Sequence, residues 1–508
     1  MLVYLSVFAV PARRGWENRM LANGEIVEVQ QVGDEFYHFF ITRDGKMVIE
    51  NEDGLVMINE PISSPTQMKA RRTQRAPQAV GVKNLAPRGL VVLAAFSDVP
   101  YQATNDSVGM WEMMNLSGYD YQEATGSARD YFIAQSDSQY MPVFDVVGPV
   151  TLPHNRAFYG ANSGGAEGQD CNARQMVVDA CRLVDNFVDF TLYDNDNNRQ
   201  VDFVYIIYSG IGENDKNGVP EAIWAHNWDV GSMNCWLDGK KLTNYACSGE
   251  IDGPTGGRNG IGVICHEFGH VMGLPDYYDT NYSTNYNNWL TPNYWSTMDQ
   301  GCYNNGAKTP PNYSIFDKYF FGWVTPQLLA KDAQQFVRMG TDSGDAYQIT
   351  GGTTLLPYTT SDTVYYLENR QQVGWDAELP GHGMLVWRVV YDQSAWGSNT
   401  PNNTAYNPRL TVIPAVPGNI GADDESAESN PFPGTGNVTT FTPFEGCGLT
   451  DIAELNGKIE FKYNGGEETT TSVVNEEVRM KSEKILLNGQ LIILRGSKQY
   501  NAQGIELH

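Results

Sequence analysis

The sequence runs to 508 residues, 41% of them hydrophobic and 12% aromatic, with 60 acidic against 34 basic side chains for a formal net charge of -26. That composition builds sizeable globular cores, roughly two to four domains at this length, and excludes a disordered chain. So large an acidic excess argues against nucleic acid or an anionic membrane as partner and favours a soluble, exported or cation-binding protein.

Residues 1–12 are apolar and end in small side chains, like the second half of a secretory signal, although they lack its basic start. An apolar first strand is the alternative. After them no apolar run reaches the length of about 18 residues that a transmembrane helix needs. Residues 25–29, 35–41, 46–49 and 55–58 are short apolar runs punctuated by Gly33-Asp34, Asp44-Gly45 and Asp53-Gly54, which reads as a small β module of hairpins. Residues 60–88 carry Lys69, Arg71, Arg72, Arg75, Lys83 and Arg88 without apolar period. A basic, polar stretch inside an acidic protein is expected to be a linker open to cleavage.

Residues 89–96 form a buried-strand run, 107–116 and 127–134 have helical spacing, 143–150 return to strand, 173–188 predict a helix and 201–208 another interior strand. This β, α, β, α, β order predicts a mixed sheet covered by helices. Between the last helix and strand, Asp194, Asp196, Asn198 and Asp202 stand at the first, third, fifth and ninth places of a calcium loop. Arg199 takes the sixth place, where glycine is expected, so calcium competes there with a plain Asp/Asn-rich turn. The seven cysteines are widely spread with no Cys-x-x-Cys pair. Cys235 and Cys247 are the pair placed for a local bridge, with free buried thiols as the alternative.

The apolar run 261–265 leads into His266-Glu267-Phe268-Gly269-His270. Residues four apart share a helix face, so two imidazoles can reach one zinc ion. Gly273 is the expected helix stop, since glycine accepts the left-handed conformation that turns the chain back. The turn, stiffened by Pro275, brings Asp276 up as third ligand, with Asp279 as the rival. A core helix with two satisfied histidines is the plain alternative. Three ligands leave the fourth zinc position for water, which the metal makes acidic, and Glu267 is the expected general base. His226 and His382 are expected to be held in a core and a turn. Tyr303 and Tyr313 are candidate oxyanion donors. Beyond, residues 363–367, 383–390, 409–413 and 458–463 alternate as short strands and predict a β-sandwich.

The His266 to Asp276 motif, joined by Met298 in Trp295-Ser-Thr-Met-Asp-Gln-Gly301, resembles the immune inhibitor A-like family of secreted zinc metallopeptidases. Residues 90–101, 126–132, 144–149, 193–202, 316–323, 367–371 and 379–387 are similar to the same family, so the resemblance covers roughly residues 10–465. It implies His266, His270 and Asp276 as zinc ligands, Glu267 as base, Met298 as the floor beneath the metal, and a propeptide at the N-terminal end. No cysteine precedes Cys171, which rules out latency by a propeptide thiolate, and a carboxylate such as Asp34 is the candidate blocker. Residues 488–504 resemble the C-terminal sorting segments of type IX secretion cargo, with a last strand pair as the alternative.

The expectation is an α+β protein. It divides into a signal remnant (1–12), a propeptide β module with basic linker (13–88), a zinc metallopeptidase domain with mixed sheet and active-site helix (89–335), a β-sandwich (336–465) and a linker with sorting segment (466–508). Its expected function is that of a secreted or cell-surface zinc endopeptidase, made as a zymogen and acting on protein or peptide substrates. It has no nucleic-acid partner, and its C-terminal segment engages secretion machinery. A surface adhesion protein with a vestigial zinc site is the alternative from another class, and a zinc amidase acting on cell-wall peptides a third.

Overall fold

The computed structural model describes residues 8–51, 54–58, 86–162, 170–281, 291–404, 407–416 and 427–468, and the backbone of four short strands near the C-terminal end. The chain divides into two units, Met1–Gly466 and Glu467–His508. The architecture is α+β, as the pattern of elements predicts.

The strands Arg88–Ala95 and Val204–Ile211 are apolar at nearly every position and buried on both faces, which places them at the centre of a covered sheet. That sheet has six strands, in the order Phe8–Ala9, His226–Asp229, Asn244–Ile251, Val204–Ile211, Arg88–Ala95 and Val143–Thr151. The last four are parallel, and the first two are antiparallel additions at one edge. Because side chains alternate along a strand, Leu90, Val92, Val204 and Ile206 meet the helix Ala173–Val184 through Met176, Val177 and Ala180. Val91, Leu93, Tyr205 and Ile207 face the other way, onto Ser107–Asn115, Ala128–Gln135 and the helix Gly262–Val271, the expected active-site helix that carries His266 and His270. The first two of these helices are started by side chains: Asp106 accepts from Gly109 N, and Ser127 and Asp130 form a reciprocal capping box.

Two expected elements are shorter than their apolar patterns. The helix expected over 173–188 stops at Val184, and the strand expected from 201 starts at Val204, because Gln200–Val201 pairs instead with Lys240–Leu242. The N-terminal module is a five-stranded antiparallel meander: Trp16–Met20, Ile26–Asp34, Tyr37–Thr42, Met47–Asn51 and Gly54–Ile58. Its first strand, polar along most of its length, was not marked by any apolar run. Most of the basic linker, residues 59–85, lies outside the described residues. Residues 8–12, which read as the end of a leader, lie here as a strand and its continuation, with Ala9, Val10 and Ala12 packed on Trp224, Val263 and Tyr303.

The β-rich part after the active-site helix consists of two sheets. Gln327–Leu328, Tyr347–Ile349, Val364–Arg370, Gly383–Val389 and Leu410–Val412 form one; Gln335–Met339, Lys458–Tyr463 and Leu449–Leu455 form the other. Val337, Ile349, Leu367, Val386, Ile459 and Phe461 make their shared core. The opposite face of the larger sheet is apolar too. Tyr366, Leu385 and Trp387 join the same core as the active-site helix, so this region packs directly on the catalytic layers within one unit. The C-terminal unit is a separate antiparallel meander of Ser482–Leu487, Gln490–Arg495, Lys498–Asn501 and Glu506–Leu507. Among the described residues no helix is long and apolar enough to cross a membrane. All seven cysteines, Cys235 and Cys247 included, are free thiols.

The junction between the larger sheet and the catalytic layers is polar at one point. Arg370, 3% exposed, donates to Asp376 at 2.6 Å, to Glu368 at 3.1 Å and to the Asn312 carbonyl at 3.1 Å. Asp376 in turn accepts from Asn312 N and Nδ2. Arg370→Met is expected to cost about 3–5 kcal/mol, because it leaves buried carboxylates without their cation. The cost will be read as a lower urea midpoint, and adding Asp376→Asn is expected to recover part of it.

Candidate metal centre

The active-site helix Gly262–Val271 is buried from Gly262 through His270. It ends at Gly273, whose φ of +106° only glycine adopts readily, with Gly273 N bonded to His270 O and Leu274 N to Gly269 O. This reversal carries Asp276 back over the histidines. His266 Nε2 lies 2.9 Å from His270 Nε2, and Asp276 Oδ1 lies 3.0 and 3.2 Å from the two rings.

The outer nitrogens decide what these contacts mean. His266 Nδ1 donates to the Thr297 carbonyl and His270 Nδ1 to the Leu274 carbonyl, each at 2.8 Å. With Nδ1 carrying the proton, both Nε2 atoms present lone pairs to each other and to a carboxylate. Such an arrangement holds together around a cation, and His266, His270 and Asp276 are grouped closely enough to bind one. Burial works to raise the Asp276 carboxyl, but His270 and His266 outweigh it and hold it far below the usual carboxylate range. Burial also pushes the His266 imidazole toward its neutral, ligating form.

Two further groups complete the surroundings. Met298 lies fully buried against the helix, where a Cβ on Gly269 would come within 2.4 Å of its sulfur, and its carbonyl accepts from Tyr277 N. Glu267 is fully buried, with the Val10 backbone amide as its neighbouring donor. Burial drives its carboxyl well up, helped by Asp276 and Glu35.

The other sequence candidates fall outside the cluster. Asp279, the rival ligand, accepts from Asn281 N and is not in the group. Tyr313 donates its hydroxyl to the Cys265 carbonyl, so it is committed to the helix backbone, not available as an oxyanion donor. Tyr303 donates to Pro11 O. His226 bonds Trp224 O and Tyr245 Oη within the core, and His382 pairs with Glu454, as expected of structural histidines. Asp34 caps its own turn through Phe36 N and Tyr37 N. The side chains that crowd the histidines come from elsewhere: the Phe8 ring stacks on His270 at 4.6 Å. The main chain after Phe8 is gripped at four successive carbonyls, by Tyr278 on Ala9, Trp224 on Val10, Tyr303 on Pro11 and Gln300 on Ala12.

At the expected calcium loop Asp194, Asp196 and Asp202 do gather. Arg199 adopts the left-handed φ of +70° that the missing glycine would have taken. The Lys240 ammonium already neutralises Asp194, and Asn198 N and Arg199 N bond the same carboxylate.

Sequence reasoning missed Asn399. Its Nδ2 donates to Asp276 Oδ2 at 2.5 Å and its Oδ1 accepts from Asp276 N at 2.7 Å, from 123 residues away in the chain. Nothing local distinguishes it from the other asparagines around it. Asn399→Ala is expected to weaken metal binding at the cluster by about ten- to a hundredfold, the usual cost of losing a group that orients a ligand; titration against a chelating dye will measure it.

Comparison with known proteins agrees with this geometry. Residues 110–324 match the family model described as immune inhibitor A peptidase M6, catalytic domain. The pre-pro-metalloprotease PrtV of Vibrio cholerae is 29% identical over 221 residues, 38% of this chain and 23% of that protein. Immune inhibitor A of Bacillus thuringiensis subsp. alesti is 30% identical over 221 residues, 38% of this chain and 31% of the relative. The match therefore spans less than a third of the length of either relative. Residues 110–324 are thus similar to the catalytic domain of immune inhibitor A metallopeptidases.

Proposed function

We propose that the protein is an exported zinc endopeptidase that cuts protein substrates and is made as a zymogen. The observation that carries this reading is the convergence of His266 Nε2, His270 Nε2 and Asp276 Oδ1 beside the buried Glu267. Two neutral imidazoles and one carboxylate are a donor set suited to catalytic zinc. Bound there, zinc supplies a Lewis acid and lowers the pKa of water to near neutrality. Glu267, one position after the first ligand, takes the proton from water and returns it to the leaving amine.

Latency is supported by Phe8–Ala9, which lies antiparallel on the edge strand His226–Asp229 with its following carbonyls gripped. An extended substrate added to the same edge would use the same main-chain donors. Removal of the N-terminal segment by cleavage in the basic linker then opens the site. The C-terminal unit serves export in this reading, and deletion of residues 480–508 is expected to leave the protein in the periplasm.

Denatured casein is the substrate for the decisive test, with the full chain before and after limited trypsin treatment, beside Glu267→Ala at equal zinc content. Cleavage only by trypsin-treated wild type is expected. Equal activity of the Glu267 variant would remove its role as base, and full activity before treatment would remove the zymogen. Asp276→Ala is expected to lose bound zinc and Asp279→Ala to keep it, by metal analysis of the purified proteins.

A further inference from the structure

A second group of buried acids lies where the N-terminal module meets the catalytic layers, and the peptidase chemistry does not use it. Glu35, in the turn between Ile26–Asp34 and Tyr37–Thr42, is 1% exposed with neither carboxylate oxygen hydrogen-bonded. Asp170, just before the helix Ala173–Val184, and Glu213, just after Val204–Ile211, each leave one buried oxygen without a partner. Their other oxygens are used: Asp170 accepts from Trp224 N at 3.1 Å, and Glu213 accepts from Asn162 at 2.6 Å and meets His38 Nε2 at 3.2 Å.

The spacing fits one ion. Ligand atoms of Glu35, Asp170 and His226 lie within 4.8 Å of one another, and two ligands bonded to one cation at about 2.0–2.4 Å can be at most about 4.0–4.8 Å apart. Both ring nitrogens of His226 already have partners, in Trp224 O and Tyr245 Oη at 2.7 Å, so the open donors are carboxylate oxygens. Oxygen-rich sites select hard cations such as calcium or manganese.

The charge points the same way. Glu213 is already engaged by His38, whose imidazole burial works to lower but Glu213 and Asp34 together raise. Glu35 and Asp170 carry two negative charges when ionised, the amount a single divalent ion neutralises. The neighbouring acids Asp215 and Asp252, by contrast, are served by Arg13. No lysine or arginine is among the groups acting most strongly on Glu35 and Asp170, which are burial, other acids, the Cys171 thiol and a Trp224 N–H.

We propose that Glu35 and Asp170 hold a second divalent cation, calcium or manganese, beside His226, and that this ion fastens the N-terminal module to the catalytic domain. Glu35 is supplied by the module and Asp170 by the catalytic layers, so the ion bridges the two parts of the chain. Loss of the ion exposes unneutralised acids at the contact and weakens the hold on the segment that covers His270.

The test counts metal in the full chain after equilibration with calcium or manganese chloride. Wild type, His266→Ala, Asp196→Ala, Glu35→Gln and Asp170→Asn are compared. Wild type, His266→Ala and Asp196→Ala are expected to retain one such ion, which excludes the catalytic cluster and the 194–202 loop as its source. Glu35→Gln and Asp170→Asn are expected to bind it at least a hundredfold more weakly. The ion is also expected to raise the melting temperature of wild type by several degrees and that of Glu35→Gln hardly at all. Equal ion content in wild type and Glu35→Gln would overturn the proposal. So would wild type without the ion and a Glu35→Gln protein that melts no lower, which would mean that the acids are simply protonated. Neither readout depends on peptidase activity, so failure here leaves the zinc endopeptidase reading intact and failure of that reading leaves this one.

Discussion

The reversal of the chain after the active-site helix is the constraint on which the site depends. Helix geometry puts His266 and His270 on one face, but a third donor reaches them only because Gly273 turns the backbone through a left-handed conformation. The same turn places the Leu274 carbonyl on His270 Nδ1 and so fixes which nitrogen faces the metal position. A residue with a Cβ at Gly273 would strain the turn that supplies both the ligand and the orienting carbonyl.

Burial makes that arrangement possible by layering. The central sheet and the larger sheet of the β-rich region both present apolar residues to the active-site helix, Val91 and Ile207 from one and Leu385 and Trp387 from the other. With water excluded, the cluster is oriented by the Thr297 and Leu274 carbonyls, which accept from the two imidazoles, and by Asn399, which arrives on the β-rich side and donates to Asp276. The β-rich region therefore supports the centre directly. The larger sheet is apolar on both faces, so this strand-rich region shares one of its faces with the core around the helix.

The N-terminal part is tied to the same core by two kinds of contact. Residues 8–12 insert among apolar side chains as a short strand and its continuation, with the carbonyls of residues 9–12 satisfied. The module behind them brings charged groups into burial: Arg13 meets Asp215 and Asp252 and is compensated, whereas Glu35 meets more acids. Apolar packing fixes the position of the segment, and the buried charges make its attachment sensitive to what neutralises them.

Much of the centre was legible in the sequence, because a helix repeat and a glycine stop are local and leave a fixed spacing between His266, His270, Gly273 and Asp276. The strands Arg88–Ala95 and Val204–Ile211 were legible for a similar reason, since burial on both faces demands continuous apolar residues. Asn399, the grip on residues 9–12 and the meeting of Glu35 with Asp170 and Glu213 left no such mark. Each joins residues far apart in the chain, and a lone asparagine, tyrosine or glutamate has the same local pattern whether it ends in water or against a distant partner. The sequence by itself determined which side chains could bind a metal and which runs form the sheet's interior. Only the tertiary structure decided what orients the ligands, what covers them and which acids are buried together, because those depend on contacts that form when the layers close.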